Sequence, residues 1–331
     1  MKKLALRIII IFQLLSCILL SQEKINISKP KHKRASEAYG YLLGQELTLT
    51  YYQSIIPSLS SNCNLAQLNF NSTFGNAKIE IEEYLKAYLG EEKFTEYVNH
   101  LNGEAVKMNN SKKVDEASVI NYINEVEERA KGKIKTPVLE TLLSFQFKEN
   151  PIDEFVYGFT KVINTKNYPK TNNIDWVIKI PISWKEVESE RSNIITTFKS
   201  DYGDGNQSIM LIVNDFEEIN GKPPTQKEIE EIISEVEMRK LFSNKEIKFV
   251  SFKKMKIDNN QGGMIETEAI MERLDMKLKI RTLSFVFIKH TRMYIIQCLI
   301  NATNINEDLS FEMKKHINLF KLVVNSTFVN D

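Results

Sequence analysis

Residues 175–184 read DWVIKIPISW. Trp176, Ile178 and Ile180 alternate with Val177 and Lys179, so three large apolar side chains share one face of a strand, and Pro181 ends it. The same period of two continues downstream. Residues 194–198 and 208–213 flank Tyr202-Gly203-Asp204-Gly205-Asn206, which predicts a hairpin with an Asp-Gly turn. After Pro223-Pro224, the run Thr225-Gln226-Lys227-Glu228 is a capping box, and Ile229, Ile232, Ile233 and Val236 mark the buried stripe of the helix it opens. Strands resume at 247–250, 263–267, 277–288 and 293–300; Met276, Leu278 and Ile280 alternate with Lys277, Lys279 and Arg281. A final helix over 311–324 turns Met313, Ile317, Phe320 and Val324 inward. Strands, helix, strands and helix with tight hairpins define an α+β domain with an antiparallel sheet.

Upstream the period changes to that of helices. One runs from Ser36 to Ile56 and stops at Pro57, and one runs over 65–89 with Phe74, Ala77, Ile81, Leu85 and Leu89 on one face. A short helix carries Phe94, Val98 and Leu101 and ends near Gly103. Ile120, Ile123, Val126 and Ala130 mark the next, and Thr136-Pro137 opens the last. Gly40 and Gly44, four apart, suggest close packing of two helices. Residues 164–173 are almost free of apolar side chains and read as a linker. The expected division is a signal peptide at 1–21, a tether at 22–35, an all-α domain at 36–163, the linker at 164–173 and the α+β domain at 174–331.

Trp176-Val177-Ile178-Lys179-Ile180-Pro181-Ile182-Ser183-Trp184, the element order and the closing Phe320-Lys321-Leu322-Val323-Val324-Asn325-Ser326-Thr327-Phe328 resemble the PsbP-like fold. The resemblance covers roughly residues 175–331. It is a likeness to extrinsic subunits of photosystem II and to exported bacterial proteins of unknown role. It implies a sheet covered by helices that serves as a binding or assembly module, and it carries over no catalytic residue. The helical half lies outside it.

The N-terminus reads as an export signal. Lys2, Lys3 and Arg7 precede an apolar run from Ile8 to Leu20, and polar sequence starts at Ser21-Gln22-Glu23-Lys24. Cleavage is expected between Ser21 and Gln22. Leu14-Leu15-Ser16-Cys17 offers lipidation at Cys17 as the alternative, although Ile18-Leu19-Leu20 continues the apolar run past it. An uncleaved anchor is the third reading, and its uncharged run is shorter than the roughly 20 residues a spanning helix needs. The basic cluster Lys29-Pro30-Lys31-His32-Lys33-Arg34 reads as a solvated tether.

The 331 residues carry 44 Lys and Arg against 43 Asp and Glu, a balance that argues against nucleic acid as the partner. No phosphate-binding loop, nucleophile elbow, zincin motif or paired-Cys motif is present. His32, His100, His290 and His316 are scattered and read as surface or helix-end residues, so no metal site is expected. Asp201, Asp204 and Asn206 lack the rest of a calcium loop. Glu80, Glu82 and Glu83, and Glu228, Glu230 and Glu231, read as solvated helix faces. Glu266, Glu268 and Glu272 read as one face of an exposed strand rather than a glycosidase pair. Cys298 sits in an apolar strand, whereas Cys63 sits in a polar stretch that reads as an exposed turn; the two form no disulfide framework. The sequons at Asn26, Asn71, Asn109, Asn206, Asn301 and Asn325 are what an Asn-rich chain produces by chance.

These readings predict no catalytic residue, no metal and no cofactor. They predict a non-enzymatic binding or assembly protein, exported to the periplasm, the cell envelope or the medium, with a protein or small molecule as partner. Membrane contact would run only through an uncleaved signal or a lipid anchor. A hydrolase with a cleft between the domains and a self-associating structural protein of the envelope are the alternatives.

Overall fold

The structure, a computed structural model, describes residues 30–110, 114–171, 174–189, 191–215, 223–242, 246–273 and 276–330. The described chain divides into a helical unit ending at Glu154 and a sheet unit starting at Phe155.

The helical unit contains α1 (Lys31–Ile55), α2 (Ser60–Leu89), α3 (Glu91–Asn110), α4 (Glu116–Ala130) and α5 (Val138–Gln146). Helix α1 starts five residues before the expected Ser36, which removes the last part of the expected tether. Pro30 takes the N-cap position, and Arg34 and Ala35 extend the buried stripe of Ala38, Tyr39, Leu42 and Leu49. Lys31, His32 and Arg34 are not freely solvated, whereas Lys33 is exposed. Lys31 Nζ lies 5.2 Å from the ring centres of both Tyr84 and Phe145, and His32 stacks on Tyr88 at 4.7 Å.

Helix α2 also starts early, and so takes in Cys63, which is fully buried with Ala66, Phe70, Phe74, Ala77, Ile81 and Leu85. The expected exposed turn at Cys63 is therefore corrected. The Cys63–Ala66–Phe70 spacing continues the inward face that starts at Phe74, and the polar neighbours point outward. Helix α3 runs through Gly103 to Asn110. A Cβ at Gly40 would meet the Leu101 methyl groups and the Tyr97 hydroxyl at 3.8–3.9 Å, and one at Gly44 would meet nothing within 4 Å, so neither position requires a glycine for a close crossing. Helix α4, capped by Asp115, buries Val119, Ile123 and Val126 and leaves Ile120 exposed, a stripe turned by one residue from the expected one. Arg129 fastens α4 to α1. It donates to Gln45 Oε1 at 3.0 Å, and its guanidinium lies over the rings of Tyr41 and Tyr122 at 5.0 and 5.2 Å. Burial there pushes the Tyr41 hydroxyl up to about 12.

A short helix α6 (Ile152–Val156) spans the division, and β1 (Thr160–Asn164) follows. Strand β1 pairs antiparallel with β2 (Asp175–Pro181), so the expected boundary at 164–173 is too late and those residues are not a linker. The segment joins the two strands of a hairpin. Thr165 Oγ1 donates to Ile174 O at 2.9 Å, and Thr171 Oγ1 to Tyr168 O at 2.8 Å. Both threonines are buried. Their hydroxyls bond local backbone, which holds residues 165–171 in place although their composition is that of a linker.

Strands β3 (Lys185–Val187), β4 (Ile194–Lys199), β5 (Gln207–Asp215), β6 (Ile247–Ile257), β7 (Asn260–Arg273), β8 (Met276–Lys289) and β9 (Arg292–Ala302) form one antiparallel sheet in the order β3-β4-β5-β9-β8-β7-β6. A second sheet joins β1, β2 and β10 (Phe328–Asn330). The architecture is α+β, as the sequence predicts. In the β4–β5 hairpin the left-handed residues are Asp201, Tyr202 and Gly203, not the Asp204-Gly205 step. Gly205 is needed for another reason: a Cβ there would fall 1.9 Å from Ser200 Oγ.

The middle strands of the long sheet, β5, β9 and β8, are buried on both faces. On one face Leu283, Phe285, Phe287, Tyr294, Ile296 and Cys298 pack in the core with Trp176 and with α9 (Leu309–Asn325). Trp176 meets Tyr294 edge-on at 5.4 Å, and Phe287 stacks on Tyr294 at 5.0 Å. The opposite face packs against α7 (Gln226–Ile232) and α8 (Glu235–Phe242). The capping box forms in full at Thr225 and Glu228. The single helix predicted after it is two, because the backbone leaves helical geometry at Ile233. Ile233 is buried, Val236 is exposed, and α8 buries Met238 and Phe242 instead.

Candidate functional site

The face under α7 and α8 is where the sheet departs from ordinary core chemistry. Ile194, Met210, Ile212, Ile265, Ile280, Val286, Ile288, Met293, Ile295 and Leu299 make it apolar. Two strand-to-strand rows through its middle are not. Register aligns Thr197, Met210, Gln297, Ser284 and Ile265 across β4, β5, β9, β8 and β7. The next row holds Ser208, Leu299, Thr282 and Thr267. Six of these nine positions are polar, and all six are buried; Gln297 is 2% exposed and Ser284 1%.

A buried amide needs partners for its oxygen and its two N–H groups. Among the described residues, the side-chain hydrogen bond within the two rows is the one from Gln297 Nε2 to Ser284 Oγ, at 3.4 Å. Gln297 Oε1 is buried with no hydrogen-bond partner. Leaving such a group unpaired costs about 1–3 kcal/mol. An apolar lining with a few convergent polar groups is the general chemistry of a small-molecule site.

The roof is fixed at the β6–β7 side. Gly263 lies on the same face, where a Cβ would fall 3.0 Å from Ile233 Cγ2 and 2.6 Å from the Phe252 ring. The missing side chain lets the turn after α7 come down onto the sheet. Arg239 of α8 sits over the Phe249 ring at 4.3 Å. No ionised side chain lies between the strands' edges in the two rows; Lys199, opposite Ser208, stands at the β4 end.

The residues singled out from sequence are not part of this face. Ser21, Gln22 and Cys17 lie outside the described residues. Glu266 and Glu268 are on the other face, partly buried rather than exposed. Arg281 binds them: its Nη2 is 2.8 Å from Glu266 Oε1, and its Nη1 is 3.6 Å from Glu268 Oε2. Glu272 pairs with Lys277 at 2.5 Å. Glu80 pairs with Lys148 at 2.7 Å and Glu82 with Lys86 at 2.9 Å. His316 is a correction: it is buried in α9, stacked on Phe320 at 5.8 Å, because its position falls on the same helical face as Met313 and Phe320. Among the described residues no group of three or more His, Cys, Asp and Glu is placed to hold a metal ion.

Sequence reasoning passed over Gln297. The signal is present in Tyr294-Ile295-Ile296-Gln297-Cys298-Leu299-Ile300, where one polar residue interrupts a strand apolar on both faces.

No protein-family model matches this chain, and no curated protein does. Among solved structures, that of cyanobacterial PsbP (CyanoP) from Synechocystis sp. PCC 6803 is 10% identical, with a TM-score of 0.30, covering 47% of this chain and 86% of that one. LpqN of Mycobacterium tuberculosis, described as involved in cell envelope biogenesis, is 8% identical, with a TM-score of 0.33, covering 52% of this chain and 91% of that one. Among the described residues no helix is long and apolar enough to cross a membrane.

Proposed function

We propose that this chain is an exported, non-enzymatic binding protein that holds a small molecule against the α7–α8 face of its long sheet. The observation that carries the reading is Gln297, an amide buried in an apolar sheet with its oxygen unpaired. A core built for stability alone places Val or Ile at such a position, because burying an amide without partners is costly. The polar groups around it, Ser284, Thr282, Thr267, Ser208 and Thr197, orient a ligand and develop no nucleophile, since no base stands among them. Export rests on the layout of residues 1–21.

The test is a titration of the full mature chain with the neutral apolar dye Nile red. Saturable binding at one site per chain is expected. Ser284→Leu, which fills the floor with apolar volume, is expected to weaken it at least tenfold while the chain still melts cooperatively. A cooperatively folded wild-type chain with no saturable binding would falsify the reading.

A further inference from the structure

The long sheet ends in two unlike edges. Strand β3, at one edge, is three residues long, and a short edge is a common protection against stray pairing. Strand β6, at the other, is 11 residues long. Among the described residues no strand pairs with its outer side, and no turn or loop backbone hydrogen bond reaches residues 248–257. A register shift between Phe249 and Ser251 makes Val250 a bulge, which interrupts regular pairing at that point. The regular stretch is Ser251-Phe252-Lys253-Lys254-Met255-Lys256-Ile257. We infer that this stretch is a docking edge, to which an extended acidic segment of a protein partner adds as a further strand. The edge is separate from the Gln297 rows, and its docking role stands or falls without them.

Charge chooses the occupant. Lys253, opposite Met264, stands on one face of the sheet. Lys254, opposite Gly263, and Lys256, opposite Gln261, stand on the other, which also carries Phe252. All three lysines are exposed, and among the described residues none of them forms an ion pair. The acids that β7 sets beside β6 are already engaged: Glu266 and Glu268 by Arg281 and Lys279. Asp258, the residue after β6, lies against Lys289, and on α8 Glu235 and Glu237 pair with Arg239 and Lys240. Lysines on an edge ordinarily keep other strands away. Here they also discriminate. A second copy of this chain, pairing through the same stretch, sets lysines against lysines, and like charges opposite one another destabilise a ladder. A strand carrying Asp or Glu gains cross-strand ion pairs in addition to the main-chain hydrogen bonds that strand addition supplies. Apolar residues between its acids meet the half-buried Phe252 and Met255.

The experiment titrates the full mature chain with the end-blocked peptide Glu-Val-Glu-Val-Glu-Val-Glu and follows amide exchange in β6. Saturable binding is expected, with slower exchange of amides within residues 251–257. The same peptide N-methylated throughout keeps its charges and loses its donors, and it is expected to bind at least tenfold more weakly. The combined variant Lys253→Glu, Lys254→Glu and Lys256→Glu changes only exposed positions. It is expected to melt cooperatively, to lose the acidic peptide at least tenfold and to bind Lys-Val-Lys-Val-Lys-Val-Lys instead. Folded wild type that does not bind the acidic peptide overturns the inference. Equal binding of the N-methylated peptide means attraction by charge without strand pairing, and it overturns the inference too. So does equal binding of the basic peptide by wild type, since the lysines then select nothing. Binding of phosphatidylglycerol vesicles without binding of the peptide makes the lysine row a membrane contact and equally overturns the docking edge.

Discussion

The backbone N–H of Val329 donates to Asp258 Oδ2 at 3.2 Å, joining the last strand of the chain to the β6–β7 turn 71 positions earlier. Lys289 completes the clamp: its Nζ donates to Val329 O at 2.6 Å and lies 3.5 Å from the same Asp258 oxygen. Among the described residues strand β10, three residues long, pairs with β2, and this clamp and the buried Val329 side chain add to that short ladder. Lys289→Met should cost about 1–3 kcal/mol, the range for a buried polar group left unpaired. The Val329 amide should then exchange with solvent faster, whereas Lys248→Met, on an exposed β6 position, should change neither. An unaltered melt and unaltered Val329 exchange in Lys289→Met would show that packing alone holds the strand.

Cys63 is buried in α2, and burial raises its thiol above the ordinary range. Cys298, within the sheet, is raised further by the same cause. Neither should react quickly with a thiol reagent until the chain unfolds. Replacing either with Ser should cost about 1–3 kcal/mol, the penalty for a hydroxyl without a partner in an apolar site. Denaturant melts of the two variants check this. Rapid labelling of folded chain at Cys63 would place it at the surface after all.

How far the sequence reveals this molecule depends on what each signal reports. The period of two in Trp176, Ile178 and Ile180 reports burial directly, and all three are fully buried. The Thr225–Glu228 box is a local geometry carried by four residues, and it forms as read. Composition misleads where local hydrogen bonds replace apolar contacts, as at Thr165 and Thr171. The helix after Thr225 misleads because continued apolar spacing does not encode a break at Ile233. The candidate site was least legible of all. Gln297, Ser284 and Thr267 belong to three strands, and only the register of β7, β8 and β9 brings them onto adjacent rows.

Arg281 lies between two carboxylates on the face opposite the candidate site. Ser251 Oγ adds a hydrogen bond to Glu266 Oε2 at 3.1 Å. Arg281→Met leaves Glu266 without its cation and Glu268 with only Lys279, whose Nζ is 3.8 Å from Glu268 Oε1, so a loss of about 1–3 kcal/mol is expected at neutral pH. Adding Glu266→Gln should recover part of that loss, because the one carboxylate left without a cation is removed. Urea melts of the single and double variants form the cycle. Strict additivity would mean that the pair is not coupled.

Processing is tested by N-terminal sequencing of exported protein. The apolar run ends at Leu20, and a small Ser21 precedes polar sequence, so the mature chain should start at Gln22. A lipid-modified Cys17 at the N-terminus, or a retained Met1, would replace this reading with one of its two alternatives.

His316 should make the sheet unit sensitive to mild acid. Its Nδ1 is 2.9 Å from Glu312 O, and the ring is buried against Phe320. Burial lowers its pKa below the ordinary 6.5, with Lys315 acting the same way; the bond to the Glu312 carbonyl and the Glu312 carboxylate, 3.7 Å away, oppose the shift. The unfolded chain therefore takes up the proton more readily than the folded one. Stability from the neutral ring is fully present above about pH 6.5 and is lost as pH falls through the unfolded and then the folded value. The slope from one such group cannot exceed about 1.4 kcal/mol per pH unit. Denaturant melts at pH 7.5, 6 and 5 should fall more steeply for wild type than for His316→Gln, which has no proton to gain. Glu312→Gln, which removes the opposing charge, should steepen the fall. Parallel pH profiles for wild type and His316→Gln would assign the acid sensitivity to other groups.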